Sequence, residues 1–298
     1  MWFRNLQVYS LDADWTLSPG GLEEALAAHP LQPCPPLAMT SQGWVAPADT
    51  PALVQNLDRH LLLALGVEQK LLPASVVAEA AQQYAEQWEQ SHGIKPGRKL
   101  KREFKDRATT ELLPRAFARR RVTHLWIDAS ARRLVVDSAS AGPAELATET
   151  LRDTLGELPL SLPAPERAID DTLSTWLRTD RPPETFALGE DCELTGPDET
   201  RPTLRYQRHP LQTPELHQHL DNGFRVSRLA LTWRDQLSFV IDSKLQLKQL
   251  RFLDLDEADD ETELTPEQRF EAEFALMSSS YSAMLGDLLG ALGVVAAA

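Results

Sequence analysis

Eleven lysines and arginines fall between Lys95 and Arg121, in KPGRKLKREFKDRATTELLPRAFARRR. They are Lys95, Arg98, Lys99, Lys101, Arg102, Lys105, Arg107, Arg115, Arg119, Arg120 and Arg121, opposed by Glu103, Asp106 and Glu111. The stretch carries +8 in a chain of 298 residues with a formal charge of −14, which leaves −22 for the remainder. Ammonium and guanidinium groups held together against an acidic average have one common chemistry, the binding of phosphate. Arg98, Lys101, Arg102 and Lys105 stand at i, i+3, i+4 and i+7, so a helix would put all four on one face. At about 1.5 Å of rise per residue that face is about 10 Å long. Duplex DNA carries one charge per roughly 1.7 Å of axis, so such a stripe can meet several phosphates. The alternative is a solvated helix face with no partner.

A second concentration is acidic. Between Asp254 and Glu273 ten carboxylates, among them Asp254, Asp256, Asp260, Glu267 and Glu271, face Arg269 alone. Carboxylates so crowded could hold Mg²⁺ for phosphodiester cleavage. They could equally form a solvated face, or mimic a phosphate backbone. His217 and His219 make an HxH with no second metal-ligating cluster near them. Arg201, Arg205, Arg208 and His209 surround Tyr206, a basic loop with an aromatic ring that could touch a nucleic-acid backbone or a base. There is no GxxxxGK[ST], GxGxxG or HExxH, and no Ser/His/Asp or Cys/His set stands out from chance. We therefore expect no enzyme, no catalytic residues, no cofactor and no metal. Cys34 and Cys192 lack CxxC spacing and read as two reduced thiols.

These residues need elements to position them. Pro96 and Gly97 suit a helix entrance, Pro114 ends the run, and Leu100, Phe104, Ala108 and Leu112 supply an anchoring stripe. Ahead of it, Pro73 opens a long helix with Val76, Val77, Ala80, Ala81, Tyr84 and Trp88 on its apolar face, ended by Gly93. Strands are expected over 3–11, 39–45, 59–65, 122–128 and 133–138, with a meander over 224–233, 236–241 and 245–253. Further helices are expected over 18–29, 142–155 and 266–276, with 281–292 as a candidate continuation of the last. Residues 166–223, rich in proline and weakly periodic, read as a small separate module or arm rather than core. Hairpin and helix groups without strict βαβ alternation give an α+β class. The chain then divides into a central body (1–72, 122–165 and 229–298), a helical basic segment (73–121) and a proline-rich projecting tip (166–228). No apolar run is long enough to span a bilayer, and MWFRNLQVYS has no signal core, so a cytoplasmic location without membrane contact is expected.

Several short pieces, in order, carry a resemblance: WFRNLQVY (Trp2–Tyr9), GWVAP (Gly43–Pro47), KLLPASVV (Lys70–Val77), LLPRAFAR (Leu112–Arg119), WID (Trp126–Asp128), VVDSAS (Val135–Ser140) and LALTW with FV (Leu229–Val240). Together the set resembles RdgC, a bacterial recombination-associated family. The resemblance implies an elongated protomer in a ring-shaped homodimer that binds DNA in a basic central hole with little sequence preference, at the nucleoid. It implies antagonism of RecA by occupation of the DNA, duplex or single-stranded. Carried over by position, Lys95, Arg98, Lys99, Lys101, Arg102 and Lys105 would face the hole. Phe117 would sit in one dimer contact, and Arg208 and His209 would lie at the tip that closes the ring. Two other readings stay open: a Mg²⁺-dependent nuclease using residues 254–273, and a module that binds a recombinase directly.

Overall fold

Alternating apolar positions write most of the strands, and the computed structural model describes residues 2–12, 15–16, 18–253 and 265–294. The strands are β1 (Leu6–Leu11), β2 (Thr40–Val45), β3 (Gln55–Leu57), β4 (His60–Lys70), β5 (Ala118–Asp128), β6 (Arg133–Val136), β7 (Leu160–Ser161), β8 (Phe186–Thr195), β9 (Thr203–Tyr206), β10 (Arg225–Trp233), β11 (Leu237–Asp242) and β12 (Gln246–Phe252). The helices are α1 (Pro19–Ala27), α2 (Ala74–His92), α3 (Arg98–Leu112), α4 (Ala141–Leu155), α5 (Ile169–Thr179), α6 (Pro214–Asp221) and α7 (Pro266–Ala291). Large antiparallel ladders with helices set between them make the protein α+β. The chain forms two compact units. One comprises Met1–Ala25, Ala46–Leu63 and Thr123–Ala298, the other Leu26–Val45 and Ala64–Val122.

In the first unit β1 lies inside the sheet, antiparallel to β6 on one side and β12 on the other. The sheet continues through β11, β10, β8 and β9. Its core gathers Leu6, Trp126, Val135, Leu229, Ile241 and Leu247 from the strands with Leu173 of α5 and Tyr281 and Leu285 of α7. Several polar groups taken into this core are paired. The Tyr281 hydroxyl donates to the Phe3 carbonyl at 2.8 Å, and the Val226 N–H to Ser174 Oγ at 2.9 Å. Asp128, fully buried, accepts from the Ser130 and Ala131 N–H groups and from the Ser282 hydroxyl, fastening β5 to α7.

Residues 166–228 do not stand apart from that core. They form α5, β8, β9 and α6. Ile169, Leu173, Trp176, Leu177, Phe186, Leu194 and Leu216 all join the cluster above. The prolines cap and separate these elements instead of excluding structure: Pro214 begins α6, where its missing N–H costs nothing. The stretch expected as body over 1–72 is shared between the two units. The two helical runs after Pro266 are one helix, α7. No helix among the described residues is long and apolar enough to cross a membrane.

In the second unit β2 pairs with the later half of β4, from Thr40 opposite Gln69 to Val45 opposite Ala64. The preceding segment crosses Gly43 closely: Leu31 N–H donates to the Trp44 carbonyl and Trp44 N–H to that of His29. A β-carbon on Gly43 would lie 2.4 Å from the Leu31 nitrogen, so only glycine fits. Buried Lys70 donates to the carbonyls of Pro35 and Pro36, at 2.8 and 2.6 Å, holding the proline loop to β4.

Candidate nucleic-acid interface

The helices α2 and α3 of the second unit form a hairpin. Gly93, in the left-handed conformation at φ 71°, stops α2 and its N–H closes the last turn on the Glu89 carbonyl. Pro96 is buried, and Gly97 begins α3 with an extended backbone. Small residues let the helices approach: Ala81 and Ala85 of α2 and Ala108 of α3 are the buried positions. Leu100, Phe104 and Leu112 flank Ala108 on the half-buried face, with Phe104 and Tyr84 ring centroids 6.3 Å apart.

A neighbouring face is basic. Lys95, Arg98, Lys99, Lys101, Arg102 and Lys105 are all exposed, and none forms an ion pair with any described residue. Arg107, one turn on, behaves differently. It pairs with Glu111 at 2.8 Å and its guanidinium lies 4.5 Å from the Tyr84 ring centre. Tyr84 also donates its hydroxyl to Glu111. The Tyr84 hydrogen bond first, and then that of Arg107, hold the Glu111 carboxyl below the usual carboxylate range. Bonding to the same carboxylate raises the Tyr84 hydroxyl. One cation of the run is thus spent on joining the hairpin, while the six named for phosphate contact form no ion pair among the described residues.

Beyond α3, Arg119, Arg120 and Arg121 are exposed at successive positions of β5, hence on both of its faces. Phe117 is 85 % exposed, more than any other large apolar side chain among the described residues. Its backbone is nevertheless fixed, since the Phe117 carbonyl accepts from the Leu71 N–H at 2.7 Å. Leu37, Met39, Leu71, Val76, Ile94 and Val122 of the second unit are also exposed.

Arg208 and His209 fall in the first unit, in the turn that leaves β9. Arg208 takes φ 50°, and its N–H donates to Asp191 Oδ1 at 2.8 Å. The His209 N–H donates to the Glu190 carbonyl at 3.1 Å, and its ring lies 5.8 Å from that of Tyr206. Both side chains point into solvent. Arg208 borders, with Arg4 and Arg251, an open groove of about 860 Å³ on the sheet. Arg205 is paired with Glu193 at 2.7 Å. The residues expected to touch DNA are therefore drawn from both units, six from α3 and its entrance and one from the β9 turn.

Other candidate chemistry finds less support. No group of three His, Cys, Asp or Glu side chains among the described residues could hold a metal ion. His217 and His219 lie on α6, with His219 against Phe224 at 5.4 Å. Burial first, then Asp191 and Glu193, push the Cys192 thiol up to about 12, far from a reactive thiolate. Residues 254–264 of the acidic run lie outside the described residues, and Glu267, Glu271 and Glu273 follow on α7.

A family model described as "Putative exonuclease, RdgC" matches residues 1–295. Proteins named recombination-associated protein RdgC are similar over nearly their full length. That of Cupriavidus pinatubonensis is 41% identical over 294 residues, covering 98% of each chain. That of Dechloromonas aromatica is 41% identical over 298 residues with the same coverage, and that of a Janthinobacterium species 40% over 294. A match over the whole chain, with relatives at this identity, places the protein in the RdgC family of recombination-associated proteins.

Proposed function

We propose that this protein binds DNA through phosphate contacts in recombination. It does so as a homodimer that closes into a ring around the duplex, and it restrains RecA-mediated strand exchange by occupying the DNA. The observation that carries the reading is the set of exposed cations on α3 and at its entrance, which form no ion pair among the described residues. Six phosphate partners would give binding that tolerates any sequence and weakens steeply with salt. The acidic remainder of the chain favours confinement of the nucleic acid to that face. A dimer is supported by Phe117 and by Leu37, Met39, Leu71, Val76 and Val122, further exposed large apolar side chains of the second unit. Ring closure needs a second self-complementary patch, and the Arg208–His209 turn is the candidate. The protein would work in the cytoplasm at the nucleoid, with no catalytic step of its own.

The test is fluorescence anisotropy of a labelled duplex over a salt series. The expected log–log slope is about −5 for six contacts, and a flat response overturns the proposal. The variant with Arg98, Lys101, Arg102 and Lys105 all changed to Glu should lose binding while remaining a folded dimer. The family description's word exonuclease favours one rival reading, a Mg²⁺-dependent nuclease. Supercoiled plasmid and an end-labelled linear duplex, incubated with the protein and Mg²⁺, should both stay intact; nicking of the plasmid or shortening of the linear strand that EDTA abolishes would establish the rival.

A further inference from the structure

The loop at the turn of the α2–α3 hairpin combines features that phosphate binding does not require. Ile94 is 64 % exposed there. A surface isoleucine is ordinary in itself. The loop that carries it is constrained at both ends, by the left-handed Gly93 that stops α2 and by the buried Pro96, whose ring fixes φ ahead of α3. Residues 90–102 contain five lysines and arginines and no carboxylate, so its surroundings are cationic on the chain's own account. Beside it, His92 stacks on Trp88 with ring centroids 4.4 Å apart and planes 10° from parallel. The ring is fixed by its Nδ1, which lies 3.0 Å from the Trp88 carbonyl. His92 is exposed, so the outer face of the stack is open.

A side chain that enters a base stack needs an apolar body, a stiff support and phosphate-binding groups close by to repay the cost of unstacking. All three meet at this loop. We infer that Ile94 is a wedge that enters a base step of the DNA held by α3, with His92 as the platform on which the displaced base stacks. The inference rests on the proposed DNA binding and adds to it a contact with bases. Phosphate contacts alone give no preference among sequences or structures. A wedge creates one: steps that unstack cheaply, such as those beside a mismatch, are preferred, because less energy is spent opening them. The partner is thus duplex DNA with weakened stacking.

The experiment uses full-length protein and two duplexes, one fully paired and one with a central mismatch, each with 2-aminopurine beside the centre. Anisotropy on the same samples reports binding separately. Wild-type protein should favour the mismatched duplex by roughly tenfold and raise the 2-aminopurine emission of both at saturation. Ile94→Ala should bind the paired duplex within about threefold of wild type, since the phosphate contacts remain. It should lose both the preference and the emission rise, whereas Ile94→Leu should keep them. His92→Ala should reduce the emission change less than Ile94→Ala does. If Ile94→Ala keeps the preference and the emission rise, the wedge is overturned. If it instead sediments as a monomer, Ile94 belongs to a protein contact and the wedge is equally overturned. Failure of wild-type protein to bind either duplex is a different result, and refutes the DNA-binding proposal itself.

Discussion

The helices α3 and α7 use the same backbone geometry for opposite ends. Over 26 residues α7 buries Phe274, Met277, Tyr281, Met284, Leu285, Leu288 and Leu289 in the core of its unit. It begins with a full capping box, in which Thr265 Oγ1 accepts from the Gln268 N–H and Gln268 Oε1 accepts from the Thr265 N–H. Over 15 residues α3 buries only Ala108, and no side chain caps its first turn. Packing therefore holds α7 in place, and α3 depends on one thin seam with α2 and on the Tyr84–Glu111–Arg107 cluster. The surface of α3 left over by so economical an anchor is the surface available to a ligand. A helix that buries as many side chains as α7 has less surface left for charge, and here the two roles fall to two helices.

The comparison breaks most sharply at the charges. Reversing Arg98, Lys101, Arg102 and Lys105 should weaken duplex binding by more than about a thousandfold at moderate salt. Thermal unfolding should barely move, because these side chains make no described ion pairs. A collapse of stability would show that the face is structural. Leu285→Ala, in α7, should do the converse: lose about 3 kcal/mol of stability by urea unfolding, with the salt slope of DNA binding unchanged.

A third test separates core from surface by pH. His124, in β5, is pushed down to about 4, chiefly by burial. Its folded pKa lies below the unfolded value, so the unfolded chain takes the proton first. Its contribution is complete above about pH 6.5 and is lost as pH falls towards 4, amounting to about 3 kcal/mol. His124→Gln should flatten that part of the profile between urea titrations at pH 7.5 and pH 4.5. Equal slopes for variant and wild type would remove His124 from the account. Smaller again, Thr265→Ala should cost about 1 kcal/mol through the lost cap of α7. The smallest effect is expected at Glu111→Gln. It should loosen the hairpin, seen as faster amide exchange in α3, while leaving the first unit untouched.

The basic face was legible before any coordinates because a period of 3.6 and a run of unlike charge are both local signals. Arg98, Lys101, Arg102 and Lys105 needed only their spacing, and Leu100, Phe104, Ala108 and Leu112 the same. The meander of β10, β11 and β12 was readable for a similar reason, its strands being short, alternating and separated by tight turns. The stretch 166–228 was not. Ile169, Leu173, Trp176 and Leu177 do carry helical spacing, but over 11 residues and amid prolines it was outweighed. In β8 the alternation is broken, since its register against β10 shifts between Leu229 and Leu231. Glu111 stands at i+4 from Arg107, a pairing the spacing allows, but the Tyr84 contact that completes the cluster was hidden, because that ring lies on the preceding helix. Ile94 gives no signal in the sequence, because one apolar residue in a loop carries no periodicity.

The position of β1 has a consequence for the making of the protein. Leu6 is synthesised well ahead of its partner Leu247, with the whole of the intervening chain still to be made. The Phe3 carbonyl waits longer still, for a hydroxyl 278 residues downstream. At an elongation rate of about 5–20 residues per second, β1 spends roughly 10–50 seconds without its β12 neighbour. For that interval an apolar strand destined for the middle of the sheet is a bare edge, open to pairing with any nascent chain nearby. The β6 strand, made about halfway through, can cover one side of it early, so the order of synthesis itself favours the β1–β6 pair as the first piece of the sheet to settle.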